Sequence, residues 1–163
     1  QIDVQPGDTL VFVVDILSVP LSGPTGEPVT PPADLPTVTD VGGRPKVTMP
    51  GGNPPTALVT QPLIKGNGRA VQASDIITVN YAAYNWADGS LIETTYGAQP
   101  QQGLLPKLIP GWTKGLVNQP VGSRVLLVVP PADAYPQGNA TPSIAAGTTI
   151  VYVVDILYAE PSQ

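Results

Sequence analysis

Residues 108–135 read LIPGWTKGLVNQPVGSRVLLVVPPADAY, and this stretch decides the fold. A buried strand would not carry Pro-Gly-Trp. Pro110 suits the first turn of a helix, where its missing N–H leaves nothing unsatisfied. Gly115 and Pro120 punctuate that helix, so it is short. The run SRVLLVVP that follows is apolar and β-branched, which reads as a strand. Trp112 therefore stands at the mouth of one abbreviated helix, in front of an apolar strand and a tyrosine-bearing loop.

Upstream, KVTMP reads as a short strand, and PTALVTQPLIKGNG as a second closed by a Gly-Asn-Gly turn. DIITVNYAAYNWADGSLIETT alternates apolar and polar residues, turns at Asp88-Gly89 and resumes. PADAYPQGNATPSIAAG is a long loop, and TTIVYVVDILYA is the last strand. Several strands and one short helix predict an α+β domain over residues 45–160, a mostly antiparallel sheet with the helix laid across one face.

The chain also repeats itself. Residues 7–17 read GDTLVFVVDIL and residues 147–157 read GTTIVYVVDIL, differing at three positions, Asp/Thr, Leu/Ile and Phe/Tyr. A domain that closes on this strand has then closed once already, near residue 17. Two convergent strands of one sandwich are the alternative. Residues 18–36 follow with six prolines and no periodicity. Residues 18–44 are expected to be a stiff, extended linker; a long ordered loop packed on a neighbour is the other reading.

Composition removes many chemistries. The 163 residues carry a net charge of −5, with seven Lys and Arg scattered singly. That gives no patch to neutralise phosphates, so nucleic-acid binding is not expected. There is no His and no Cys, which excludes disulfides, thiol nucleophiles, Ser–His triads and the usual zinc sites. No carboxylate spacing resembles a calcium loop, so neither metal nor cofactor is expected. No apolar run reaches the roughly 18 residues of a membrane span. The first residues have neither the basic nor the apolar region of a signal peptide, and the chain starts at Gln1 rather than Met, compatible with a start inside a longer polypeptide. Few charges, no Cys and many Pro, Gly, Thr and Gln are compatible with an exported protein of actinobacterial type, hence an extracytoplasmic location, secreted or in the cell envelope.

LIPGWTKGLVNQPVGSRVLLVVPPADAYP followed by GTTIVYVVDIL resembles the FKBP family of peptidyl-prolyl cis-trans isomerases. TVNYAAYNWADGSLIETT resembles another segment of the same family, and the likeness runs from about residue 47 to residue 159. The resemblance implies an FKBP-like twisted antiparallel β-sheet wrapped around one short α-helix. It makes residues 1–17 the terminal strand of a preceding domain of the same kind, so that the parent protein carries a tandem pair. It implies a pocket for a proline ring with Trp112 as its floor and Tyr81 as its first tyrosine. Leu108 and Ile109 take the place of the family's Val-Ile pair, with the Ile109 N–H donating to a substrate carbonyl. Tyr135 is the loop tyrosine that bonds a second carbonyl, Ile144 lines the far wall, and Tyr152 stands where the family has Phe.

Departures accompany the match. The family's Phe-Asp is Ile92-Glu93 here, Gln101 and Gln102 stand where an aromatic wall is expected, and Pro136 follows Tyr135 where the family has Gly. The resemblance thus implies an isomerase and folding helper of weak or specialised activity on Pro-containing or unfolded polypeptides, able to bind macrolides such as tacrolimus. A non-catalytic binding or chaperone module on the same fold, and a structural repeat with a vestigial pocket, are the competing functions. Tyr84, Tyr96 and Tyr158 read as surface or packing residues. Trp86 is either packed on its hairpin or an exposed binding aromatic. Asp15 and Asp155 read as strand-end polar residues. Residues 10–16, an apolar strand with open edges, invite self-association.

Overall fold

The computed structural model describes residues 4–16 and 18–162. Nine strands occur among them: β1 (Gly26–Pro28), β2 (Thr37–Val41), β3 (Arg44–Thr48), β4 (Val59–Gly66), β5 (Asp75–Asn85), β6 (Leu91–Thr94), β7 (Gln101–Leu104), β8 (Arg124–Val129) and β9 (Ile150–Pro161). The single α-helix among the described residues, α1, spans Pro110–Leu116. None of their helices is long and apolar enough to cross a membrane.

Seven strands form one antiparallel sheet in the order β1-β4-β8-β9-β5-β6, with β7 pairing β5 beyond the reach of β6. β9 is central, paired with β8 on one side and with all of β5 on the other. β5 turns into β6 at Asp88-Gly89, where Gly89 takes a positive φ and Asp88 accepts from the Ser90 N–H. Pro62 sits in β4 beside a bulge and outside the short stretch that β1 pairs, so its missing N–H breaks no ladder on that side.

Both faces of the sheet are covered. On β8 and β9 the side chains alternate between two cores. Val125, Leu127, Val129, Ile150, Tyr152 and Val154 face the helix; Leu126, Val128, Val151 and Val153 face the opposite way. This is why the two strands read as unbroken apolar runs.

The helix side works through two glycines one turn apart. Gly111 and Gly115 face β8, and a Cβ on Gly115 would lie 2.6 Å from Leu127 Cδ2 and 3.1 Å from Thr60 Oγ1; one on Gly111 would collide with Val129. Seven residues form no stable helix alone, and this close approach, with Leu116 and Trp112 buried beside it, holds α1 in place. On an open helix face Gly→Ala stabilises by about 1 kcal/mol. Here overpacking of about 1–3 kcal/mol outweighs that, so Gly115→Ala is expected to lower the thermal midpoint, read by circular dichroism.

The opposite face shows where the expected linker lies. Residues 18–44 do not run free but pack along the sheet. Leu21 N–H donates to Leu157 O at 3.0 Å, Thr25 N–H to Gly122 O at 2.8 Å, and Val29 N–H to Leu63 O at 2.9 Å. β2 and β3 make a hairpin through Gly42 and Gly43, both at positive φ as a two-residue turn of this hand requires. The hairpin places Val38 and Val47 on the second core with Leu35, Met49, Tyr84, Trp86 and Tyr96. Trp86 is thus a packing residue, buried, with its indole N–H on Gly52 O at 3.1 Å. Tyr84 is buried too and donates to Pro45 O at 2.8 Å.

Asp155 is not a strand-end residue. It is buried in the middle of β9 and takes a two-pronged bond from Arg124, Nε at 2.6 Å and Nη2 at 2.9 Å. Arg124 Nη1 reaches Asp40 of β2 at 2.7 Å, tying the hairpin to the sheet. Burial works against the charge of the guanidinium, and the bonds and charge of Asp155 outweigh it, so the pKa of Arg124 moves up.

Residues 10–16 form no strand: they carry no regular secondary structure and are exposed. Residues 1–3 and 17 of the expected first strand lie outside the described residues.

Candidate functional site

β5 has two partners on its outer side. β7 pairs Ile76–Val79, and β6 pairs Ala82–Tyr84. Tyr81 falls in the gap between them. There its backbone is held by Thr95, whose Oγ1 accepts from Tyr81 N–H at 2.9 Å and whose N–H donates to Tyr81 O at 2.9 Å. Odd positions of β5 face the helix, so Tyr81 and Ala83 point to the same side as Tyr152 from the neighbouring β9.

The helix brings Trp112 onto these two tyrosines. The indole meets Tyr81 edge-on, with centroids 5.2 Å apart and planes at 83°, and Tyr152 likewise at 5.5 Å and 89°. Both are favourable aromatic arrangements. Above them opens a cleft of about 110 Å³. All nine residues singled out in the sequence line it: Tyr81, Ile92, Glu93, Leu108, Ile109, Trp112, Tyr135, Ile144 and Tyr152.

Ala83, Gln101 and Pro142 line it as well. Ala83 was legible from strand period, two residues after Tyr81. Pro142 sits in a loop with no period to reveal it. Gln101 stands in the wall where the resemblance had placed an aromatic.

The cleft is apolar on one side and hydroxylated on the other. Leu108, Ile109, Ile92 and Ile144 pack against the main core with the Trp112 ring. Ile109 caps the helix in extended backbone, and its N–H has no hydrogen-bond partner among the described residues. The indole N–H of Trp112 is buried, also without a partner among them.

Facing these are three phenol groups and one carboxylate, that of Glu93. The pKa values of Tyr81, Tyr135 and Tyr152 are all raised. Burial leads in each case, followed at Tyr81 by a hydrogen bond with Glu93 and then its charge, at Tyr135 by the charge of Glu93, and at Tyr152 by its neighbours Tyr135, Tyr81 and Glu93. The phenols are therefore donors at any physiological pH.

A raised folded-state pKa also fixes a sign. The protonated phenol is the form that the fold favours. This contribution is whole below the unfolded value near pH 10 and is lost as pH climbs toward the folded values. The denaturant midpoint is expected to stay level up to about pH 10 and to fall above it. Tyrosinate absorbance of the folded chain should lag that of the unfolded chain in the same titration.

The arrangement offers no nucleophile and no metal ligand set; among the described residues no group of three His, Cys, Asp or Glu could hold an ion. It offers an aromatic floor sized for one ring, a free backbone donor at the rim and hydroxyl donors opposite. That defines a class of protein: an antiparallel sheet with one short helix beneath an aromatic-floored, largely apolar cleft.

Residues 67–157 match the family model of FKBP-type peptidyl-prolyl cis-trans isomerases, and the chain belongs to that family. It is 36% identical over 108 residues to the FKBP-type peptidyl-prolyl cis-trans isomerase FkpA of Escherichia coli (strain K12), covering 66% of this chain and 39% of that protein. It is 30% identical over 118 residues to the FK506-binding protein of Streptomyces anulatus, covering 70% of this chain and 95% of the relative. The crystal structure of FkpA from Escherichia coli aligns with a TM-score of 0.59 and 38% identity, over 66% of this chain and 50% of that one. A peptidyl-prolyl cis-trans isomerase from Pseudomonas syringae pv. tomato aligns with a TM-score of 0.58 and 28% identity, over 63% and 75%. The match thus covers 39% of the full Escherichia coli relative and half of its crystallised chain.

Proposed function

We propose that this chain is a peptidyl-prolyl cis-trans isomerase working in the cleft above Trp112. The single observation that carries this reading is the meeting of Tyr81, Trp112 and Tyr152 under an apolar cleft rimmed by the free Ile109 N–H.

Amide resonance sets a rotation barrier of about 18–20 kcal/mol. In Xaa-Pro bonds the two wells are nearly equal, but exchange takes ~10–100 s. A catalyst needs no covalent chemistry for this. It must bind the twisted amide better than either planar one. The planar form is the charge-separated one and is best hydrated, so an apolar cleft that excludes water favours the twisted form. The proline ring sits on the indole of Trp112, against Ile109 and Ile144. The Ile109 N–H and the Tyr135 hydroxyl each donate to a flanking carbonyl and hold the chain while the bond turns. Glu93 and Tyr81 form the opposite wall.

Substrates are Pro-containing or unfolded polypeptides, and the chain acts as a folding helper or chaperone outside the cytoplasm, secreted or in the cell envelope. Tacrolimus, a macrolide, competes for the same cleft. A second reading, binding without useful turnover, is favoured by Ile92 and Gln101, which line the cleft where the family resemblance places aromatic side chains. NMR exchange spectroscopy on a short Xaa-Pro peptide separates the two. Faster cis/trans exchange in the presence of the chain is the expected result. Perturbed peptide signals with unchanged exchange would leave only the binding module, and no perturbation would leave a structural repeat.

A further inference from the structure

Residues 7–16 are a misfit for where they lie. Val11, Phe12, Val13, Val14 and Ile16 are 78–88% exposed, while their counterparts in β9, Val151, Tyr152, Val153, Val154 and Ile156, are 0–5% exposed. A run of this kind is rare on a soluble surface unless something covers it. The repeat says what the cover must be. β9 is buried on both faces and paired on both edges, and eight of eleven residues of the segment are identical to it. The strands at or near the margins of this sheet, β1, β6 and β7, read GEP, LIET and QQGL, all short and none a continuous β-branched run, so the segment has the make-up of a central strand. Asp15 matches Asp155, a carboxylate whose burial depends on an arginine. In this chain the central position is already filled by β9, which has no free edge to offer the segment.

We infer that residues 7–16 belong to the closing central strand of a second FKBP-type sheet, supplied by a domain immediately upstream in the same polypeptide. That domain provides a strand on each edge, a cover on each face and an arginine for Asp15. Its prolyl cleft, which rests on the function proposed above, has Phe12 where this one has Tyr152. It lacks that hydroxyl and takes a less polar prolyl segment. The two domains also abut. Ser18 already donates to the Tyr158 hydroxyl at 2.7 Å, and Leu21 is bonded to Leu157, so no slack separates the closing strand from the next domain.

The test is amide hydrogen exchange on the 163-residue chain and on the natural polypeptide carrying about 100 further residues upstream. Amides 10–16 are expected to exchange at unprotected rates in the shorter chain and at least about 100-fold slower in the longer one. Val13→Asp should leave the thermal transition of the shorter chain unmoved and abolish a transition of the longer one. A Xaa-Pro peptide titration should count one site and two. Protection without a second site would sink the prolyl reading and keep the strand. Equal exchange in both polypeptides would overturn the inference. So would protection of residues 10–16 in a dimer of the shorter chain, which would make a second copy the occupant.

Discussion

Trp112→Ala is expected to remove the acceleration of Xaa-Pro exchange. Burying a proline ring on the indole is worth ~2–3 kcal/mol in apolar contact. Lost from the transition state at 1.36 kcal/mol per decade, that is about 30- to 150-fold in kcat/KM. The substitution also cuts a buried residue out of the main core, at about 3–5 kcal/mol of stability. Loss of activity could then be loss of fold. Trp112→Phe separates the two, since it keeps an aromatic floor and deletes the unpaired indole N–H. It should cost far less stability than Ala and leave a measurable fraction of activity. Both are checked by exchange spectroscopy, with thermal unfolding run alongside. Full activity in a folded Trp112→Ala chain would move the site elsewhere.

The site was legible from sequence to an unusual degree because its parts obey short-range rules. Pro110 and Gly115 punctuate the helix, Trp112 stands in its first turn, and strand period puts Tyr81 and Ala83 on one side of β5. What sequence could not give was the gap in the pairing of β5. It arises because β6 and β7 take different halves of one long strand, a long-range choice with no local mark. Pro142 entered the cleft the same way, from a loop.

The second cover was harder. The unbroken runs of β8 and β9 already required apolar partners on both faces, yet a helix on one face left the other unassigned. The Gly42-Gly43 turn between two alternating segments was a hairpin signal in plain sight. Six prolines upstream overrode it, because Pro-rich composition favours an extended chain whether that chain hangs free or lies packed on a sheet. Asp155 is a related case. A lone acid in an apolar strand is ambiguous until its arginine is found, and Arg124 lies 31 residues away.

That pair carries the other large effect. Arg124 is held by two carboxylates of very different standing. Asp40 is 60% exposed, so its contact is a surface ion pair worth ~0–1 kcal/mol. Asp155 is buried with the guanidinium, and removing one partner strands the other charge at about 3–5 kcal/mol. Arg124→Met is therefore expected to lower the thermal midpoint by ~6–20 °C at this chain length, and Asp40→Ala by a few degrees at most. Replacing both charges, Arg124→Met with Asp155→Leu, leaves nothing stranded and should recover most of the loss. A double-mutant cycle by denaturant unfolding measures the coupling. If the double variant fell by the sum of the single losses, the pair would be no unit.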